Sequence, residues 1–280
     1  MRPSFANHDA PLIVSVVKGK TANEVKGAIK NGCVNGAMAF DFHLSPLPKS
    51  EITTEKLKPL FDFTDKPVLA LHYNQDYSLN TMNDSDDERA REFLIAVDAG
   101  AAGVDMQGYT FEPDRNTKAS LIVGNPGSDM SFVSACPNEV SLNPETIARQ
   151  KDFISRVHDK GAEVLLSTHT GCFLDCTQVT DLLDFIHERK PDVIKLVTGE
   201  CNTDEQLAEY LKTMILIKNR YPDTKIHYHA NGAMTKYTRM IGPMLGSYIM
   251  FCVDRFNESS VLDQLPLSTM VTVYNLLSRI

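Results

Sequence analysis

The chain has 280 residues, of which 42% are hydrophobic and 23% charged, with a formal net charge of −8. These values predict a globular protein with a substantial core. The charge is spread along the chain without a lysine- and arginine-rich run, which argues against a nucleic-acid partner. No apolar stretch reaches membrane-spanning length and the first residues lack a signal-peptide pattern, so we expect a cytoplasmic protein with no membrane partner.

Short apolar runs rich in β-branched residues recur eight times and predict strands. In chain order the runs are residues 12–17, 37–42, 68–72, 103–107, 163–169, 193–198, 225–231 and 247–253. Helical patterns separate most of them, over residues 22–30, 87–99, 144–160, 178–189, 203–220 and 265–278. Capping side chains mark two of the helix starts, at Asn143 and Thr203.

Strands alternating with helices predict a parallel sheet, and eight such units favour closure into one (β/α)8 barrel domain over residues 1–280. A doubly wound open sheet is the structural alternative, although no GxGxxG follows the first strand. Residues 108–143 contain Gly, Pro, Asn and Ser and are predicted to be a loop insertion.

Polar residues at the carboxyl ends of the predicted strands are the functional candidates, because barrel active sites lie at those ends. The candidates are Asp41, His43, His72, Asp105, Gln107, His169, Lys195, His227, His229 and Asn231. Five of the eight histidines of the chain belong to this set.

Lys195 interrupts the apolar strand Val193-Ile194-Lys195-Leu196-Val197. Burial disfavours an ammonium and favours the neutral amine, which attacks a carbonyl to form an imine. The alternative is a structural lysine that reaches the strand end or pairs with Asp105.

His169 closes the strand that precedes the strand of Lys195. Neighbouring strands lie about 5 Å apart, so the two side chains would meet over one substrate. Histidine titrates near neutrality and is suited to proton abstraction beside an imine carbon. A histidine hydrogen-bonded within a loop is the alternative.

Several segments resemble the type I 3-dehydroquinate dehydratase family, and the likeness runs through most of the chain. Ser167-Thr168-His169 is similar to its S-x-H strand end, and Asp192-Val193-Ile194-Lys195 to the segment with its Schiff-base lysine. The other matching segments are Pro11–Val17 with Gly19–Thr21 and Glu24–Lys26, Gly232 with Thr238–Gly242 and Leu245–Ser247, and Ser259–Gln264.

This resemblance implies a cofactor-free lyase of the shikimate pathway and aromatic amino acid biosynthesis. Lys195 would form an imine with the ketone of a small carboxylated substrate, and His169 would move the protons. Asp105 would steady the lysine. The implied substrate-binding residues are Ser15, His72, Asp76, Arg239, Ser260 and Gln264, with Arg239 on the carboxylate and Ser260 and Gln264 in a lid. The resemblance also implies a homodimer.

The family pattern is altered at two strands. Where the family has E-W-R-x-D, this chain has Ala39-Phe40-Asp41-Phe42-His43, without the glutamate and arginine that contact substrate hydroxyls. His72-Tyr73-Asn74-Gln75-Asp76 replaces an arginine and E-G-G. The reaction class is therefore predicted more firmly than the substrate, and another carboxylated keto compound stays open.

Two other classes of function compete with this prediction. One is a metal-dependent barrel hydrolase, whose ligands would come from His43, His72, His169, His227, His229, Cys172 and Cys176. No HExxH motif is present, and we predict no metal. The other is a barrel that has lost catalysis and serves as a binding or structural protein. The six cysteines have no paired CxxC motifs and are predicted to be thiols.

Overall fold

The computed structural model describes residues 3–73, 84–113, 140–256 and 264–277. The strands in these ranges are β1 (Leu12–Val17), β2 (Ala39–His43), β3 (Val68–Leu71), β4 (Gly103–Gln107), β5 (Glu163–His169), β6 (Val193–Thr198), β7 (Lys225–Ala230), β8 (Ile249–Val253) and β9 (Leu265–Pro266). The helices are α1 (Ala22–Val34), α2 (Thr54–Phe61), α3 (Asp86–Ala99), α4 (Pro144–Asp159), α5 (Cys176–His187), α6 (Asp204–Arg220), α7 (Thr235–Met244) and α8 (Leu267–Leu277), with a 3₁₀ turn at Lys49–Glu51. All eight predicted strands and all six predicted helices are present, so the alternating α/β pattern is confirmed.

Two helices were not predicted from the sequence. The helix α2 is short and has Pro59 inside it, and α7 has Gly242 followed by Pro243 in its last turn. These residues are typical of helix ends and loops, so they hide the helical pattern. At the last predicted helix, Leu265 and Pro266 pair with β8 before α8 begins. None of the described helices meets the length and hydropathy needed to cross a bilayer.

Side-chain caps fix the beginnings of several helices. Thr203 accepts a hydrogen bond from the Gln206 amide, and Gln206 reaches back, so α6 starts with the reciprocal arrangement called a capping box. Ser85 and Asp175 begin α3 and α5 in the same way. The predicted start at Asn143 is also confirmed, because its side chain accepts from the Glu145 amide at 3.0 Å.

The chain contains two compact units. The first, called here the outer-segment unit, comprises Met1–Asp105, Val157–Glu163 and Ile249–Ile280. The second, the central unit, comprises Met106–Arg156 and Val164–Tyr248. The single domain expected from the sequence stays a prediction.

In the outer-segment unit, β1 pairs in parallel with both β2 and β8, β2 pairs with β3, and β3 pairs with β4. A β-carbon added at Gly32 of α1 would lie 2.6 Å from the Phe40 ring and 3.3 Å from the Ser15 hydroxyl oxygen. Ser15 and Phe40 therefore face α1. Because side chains alternate along a strand, Asp41 and His43 point to the opposite face.

In the central unit, β6 lies between β5 and β7, and both pairings are parallel. The rings of Tyr228 on β7 and Tyr210 on α6 are 5.0 Å apart, so Tyr228 lies on the face that the helices cover. Alternation then places His227 and His229 on the other face. The helix-covered face is apolar along β6, where Ile194 and Leu196 are buried.

Buried polar contacts hold both described ends of the predicted insertion. Gln150 of α4 donates to the carbonyls of Gly108 and Thr110 at 2.7 and 2.9 Å. Arg189, which is 1% exposed, donates to the Gln150 side chain and to the Ser141 carbonyl, both at 2.7 Å. Burial lowers the pKa of Arg189 to about 10. Residues 114–139 of the insertion lie outside the described ranges.

The helix α7, which contains Arg239, is fixed tightly against β7. The Tyr210 hydroxyl is 3.0 Å from the carbonyls of both Tyr228 and Thr238, and the Thr238 hydroxyl donates to the Ala230 carbonyl at 2.6 Å. A β-carbon at Gly242 would lie 2.2 Å from the Tyr210 hydroxyl oxygen. Only glycine fits at that position without moving Tyr210 or the helix.

We expect Gly242→Ala to lower the free energy of unfolding by about 2 kcal/mol, because the added methyl displaces Tyr210 or α7. Gly27→Ala is the matched control, since a β-carbon at that exposed position of α1 meets nothing within 4 Å. The control should raise stability by about 0.5–1 kcal/mol, as alanine is the better helix former. Urea denaturation measures both, and equal effects would contradict the tight contact.

Candidate active site

Lys195 lies in the middle of the polar face of the three strands β5, β6 and β7. Its immediate neighbours across the sheet are Ser167 on β5 and His227 on β7. One pleat further towards the carboxyl ends, His169 and His229 lie on either side of Val197. The spacing of strands puts the Cα atoms of these two histidines about 10 Å apart. Lys195 and His169 thus lie on neighbouring strands as predicted, and the meeting of their side chains over one substrate stays a prediction.

A hydrogen-bonded chain of three buried side chains runs along β7. The Nε2 atom of His227 is 2.9 Å from Nδ1 of His229, and Nδ1 of His227 is 3.2 Å from the Ser247 hydroxyl. Ser247 also accepts from the Tyr228 amide at 3.0 Å. Both histidines are 3% exposed. The sequence marked them as candidates but gave no indication that they bond to each other.

Positive groups surround His229. Burial, followed by the charges of Arg239, His227, Lys195 and His169, lowers the pKa of His229 well below its usual value. His229 is therefore a neutral imidazole at neutral pH. These four ionisable side chains therefore lie near His229 in the central unit.

The loops that follow β5, β6 and β7 are bonded to one another. The Gly199 amide donates to the Cys172 carbonyl at 2.9 Å, and the Cys201 amide donates to the Asn231 carbonyl at 2.8 Å. A β-carbon at Gly199 or Gly232 would lie under 3 Å from neighbouring backbone, so glycine is required at both. These contacts fix the strand ends that present His169 and Lys195.

Arg239 approaches this cluster from α7. It is half-buried, and its charge acts on both His229 and Tyr210. The anchoring of α7 through Thr238 fixes the adjacent residue in the helix. The structure therefore brings together three of the predicted site residues: Lys195, His169 and Arg239.

Asp105 lies in the outer-segment unit at the carboxyl half of β4. It is 1% exposed, and the Tyr73 hydroxyl donates to it at 3.2 Å. The register with β3 and β2 places it on the same face as Asp41 and His43, which lie 3.4 Å apart through Oδ2 and Nε2. Tyr73 was not predicted from the sequence.

Ser15 and His72 have the opposite orientation. Ser15 faces α1, as described above, and His72 follows Leu71, whose register partners on β2 and β4 are His43 and Asp105. His72 is fully buried and faces α3. Nothing in these two positions supports the substrate contacts that the resemblance implied for them.

His72 belongs to a buried charged cluster with Asp84 and Glu92. Its Nδ1 is 2.7 Å from Glu92 and its Nε2 is 3.4 Å from Asp84. Lys49 contacts Asp84, and Arg89 donates to the His72 carbonyl at 3.0 Å. Lys49 and Arg89 were not predicted to contribute to this cluster, because both lie far from His72 in the sequence.

The cluster of His72, Asp84 and Glu92 is the one group in the described ranges whose possible ligand atoms are close enough for a metal, within 4.8 Å of one another. Of the possible metal ligands that the sequence indicated, this cluster contains only His72. Lys49 pairs with Asp84, Arg89 pairs with Asp86, and the two carboxylates of the cluster lie beside different nitrogens of the His72 ring. That the chain binds no metal stays a prediction from the sequence.

Three further predicted residues remain to be placed. Gln264 is half-buried and lies directly before β9, which extends the sheet beside Cys252 and Val253. Asp76 and Ser260 lie outside the described residues. The described cysteines are free thiols, as expected: Cys33, Cys172, Cys176, Cys201 and Cys252.

We expect Glu92→Leu to destabilise the protein by about 3 kcal/mol, because buried His72 loses the carboxylate that lies 2.7 Å from its Nδ1 atom. His72→Leu combined with Glu92→Leu should cost less than the sum of the two single changes, which denaturant titration of all three variants measures.

The control for this cycle is the exposed pair of Lys58 and Asp62, whose side chains are both 58% exposed. Asp62→Asn should cost less than about 1 kcal/mol. Additive costs at His72 and Glu92 would mean that the two side chains are not coupled.

Solved structures with the same fold include several 3-dehydroquinate dehydratases. A type I enzyme from Clostridium difficile, described with covalently modified comenic acid, matches with a TM-score of 0.75 at 15% identity, covering 100% of this chain and 98% of that one. The enzyme from Geobacillus kaustophilus HTA426 matches at 0.73 and 14% identity, covering 100% and 99%. The one from Enterococcus faecalis matches at 0.66 and 13%, covering 96% and 95%. These likenesses confirm the predicted (β/α)8 barrel fold class.

Sequence comparison adds a family assignment. No curated protein matches this chain. The family model described as type I 3-dehydroquinase matches residues 139–280, slightly more than half of the chain, and this range contains Lys195, His169 and Arg239. The chain therefore belongs to the type I 3-dehydroquinase family, as a divergent member of low sequence identity to the solved structures.

Proposed function

We propose that the chain is a Schiff-base lyase that removes water from a carboxylated keto compound, with 3-dehydroquinate as the first candidate and 3-dehydroshikimate as its product. The observation that carries the proposal is the position of Lys195 between Ser167 and His227, one pleat below His169 on the adjacent strand. Family membership supports the lyase class.

Lys195 is the proposed nucleophile. Its side chain is buried on the polar face of β6, where three histidines lie on the neighbouring strands. The amine adds to the substrate ketone, and loss of one water leaves a protonated imine. The positive imine nitrogen then withdraws electrons from the adjacent carbon and makes its proton removable.

His169 is the proposed base and acid. It takes the proton from the carbon beside the imine, which gives an enamine. The enamine electrons expel the hydroxyl from the next carbon, and His169 returns its proton so that the group leaves as water. Hydrolysis of the imine releases the product and restores Lys195. The cycle as proposed consumes no cofactor.

Arg239 is the proposed carboxylate-binding residue. A guanidinium binds a carboxylate through two parallel hydrogen bonds and cannot lose its charge in the physiological range. The anchored helix α7 supports this role, because a fixed backbone lets the planar group meet the substrate in one orientation. The collected charges of Arg239, Lys195 and the histidines near His229 favour an anionic ligand.

Asp105 as the acid that steadies the lysine and Gln264 as a lid residue stay predictions from the resemblance. The same holds for Asp76 and Ser260. A homodimer and a cytoplasmic location are proposed on the same basis, and light scattering of the purified protein tests the dimer.

We expect borohydride treatment in the presence of 3-dehydroquinate to leave a reduced adduct on Lys195, seen by peptide mass spectrometry. Lys195→Ala should give no adduct and no absorbance from 3-dehydroshikimate. His169→Gln should still form the adduct but turn over at least 100-fold more slowly, because the proton transfers lose their base.

Lys212→Ala is the matched control, since this lysine is exposed on α6 and pairs with Glu209. It should react as the native chain does. An adduct with another keto acid but none with 3-dehydroquinate would keep the imine chemistry and replace the substrate. Trapping at a different lysine would contradict the assignment of Lys195.

For Arg239 we expect a larger effect on substrate binding than on turnover. Arg239→Lys keeps the charge but loses the two parallel hydrogen bonds of the guanidinium, so KM should rise about 10-fold. Arg239→Met should lower kcat/KM at least 100-fold. Arg220→Met, which removes an exposed ion pair with Asp184, should change neither constant. An unchanged KM in Arg239→Met would remove Arg239 from the carboxylate.

A further inference from the structure

The Nε2 atom of His229 is a buried polar atom for which the described residues provide no hydrogen-bond partner. The ring is 3% exposed, and its other nitrogen is taken by His227 at 2.9 Å. A buried polar group without a partner costs free energy, so such an atom in a functional region calls for an explanation.

The position of His229 points towards the reacting compound. It lies on the same face as Lys195, one strand away and one pleat nearer to the carboxyl ends. His169 lies at the same level on the opposite side of Val197. A compound joined to Lys195 and extending towards the strand ends would pass between the two imidazoles.

The hydrogen-bond chain gives His229 two neutral forms. When the Ser247 hydroxyl donates to the Tyr228 carbonyl at 3.2 Å, it accepts from Nδ1 of His227, and His229 then presents a lone pair at Nε2. When Ser247 donates to His227 instead, each ring reverses, and His229 presents an N–H. The Tyr210 hydroxyl also serves the Tyr228 carbonyl, so neither form leaves that carbonyl without a partner.

The charges around His229 exclude a third, cationic form near neutrality. Arg239, His227, Lys195 and His169 are the ionisable groups that act on it, and each one opposes a further positive charge. A neutral imidazole that can donate or accept is suited to a hydroxyl, which can also do both. A carboxylate would find a stronger partner in Arg239.

We propose that His229 contacts the substrate through Nε2 and selects compounds that carry a hydroxyl group on the carbon skeleton held by Lys195. The inference rests on the proposed function, because it takes the imine at Lys195 as the point of attachment. Ser247 and His227 are positioning residues that set the hydrogen-bonding form of His229. The role was not assigned from the sequence, where both histidines were strand-end candidates and possible metal ligands without a stated role in the lyase reaction.

Two ligands test the selection. One is 3-dehydroquinate, and the other is 3-oxocyclohexane-1-carboxylate, which keeps the ring, ketone and carboxylate but lacks the hydroxyls. The concentration that gives half-maximal borohydride trapping on Lys195 is measured by intact mass for each. We expect the native chain to need at least about 10-fold less of the hydroxylated ligand, since an unmatched polar group penalises the other.

His229→Leu should remove this preference by weakening the hydroxylated ligand at least about 10-fold while changing the deoxy ligand less than about 2-fold. His229→Gln, which keeps a polar end, should recover part of the preference. Thr198→Val is the matched control, because Thr198 is equally buried but lies on the helix-covered face of β6. It should leave the preference unchanged.

Equal weakening of both ligands in His229→Leu would overturn the proposal and assign His229 a purely structural role, which thermal unfolding would register as well. Equal binding of the two ligands by the native chain would also overturn it while leaving the Schiff-base lyase intact. Failure of the native chain to trap either ligand, or any other keto acid, would overturn the proposed function and the role of His229 with it.

Discussion

Alternation of side chains along the strands is the constraint on which the rest of the structure depends. Helices cover one face of the strands in each unit, and a charged group cannot be buried there without partners. In the central unit this rule places Tyr228 against α6 and leaves Lys195, His227 and His229 on the opposite face. A shift of one residue in the register of β6 would move the amine under the helices and abolish the site.

The same alternation explains which parts of the fold and of the candidate site could be predicted from the sequence. Apolar runs located the strands, and the order of β5 and β6 sufficed to bring Lys195 beside His169. Ser15 and His72 were harder, because a polar residue at a strand end can face either way. Their orientation follows from the register with Asp105 and Asp41, which single strands do not reveal. The helix α7 stayed hidden because Gly242 and Pro243 interrupt its pattern, although glycine is needed there for contact with Tyr210.

Two groups of buried ionisable side chains in the described ranges lie within networks of polar contacts. Arg189 is shared among a side-chain amide and two carbonyls, and His72 lies between two carboxylates with Lys49 and Arg89 close by. Such networks add little net stability compared with apolar packing, but losing one member is costly. The cluster near Lys195 has a different character, because it brings Lys195 and Arg239 together with three histidines.

The pairing of β1 with β8 has a consequence for synthesis of the protein. Leu12 is the partner of Ile249, so one edge of β1 stays without its neighbour until the residues of β8 have left the ribosome. At the usual rate of translation this takes roughly 10–50 seconds. An exposed apolar strand edge is prone to pair with other chains during such an interval.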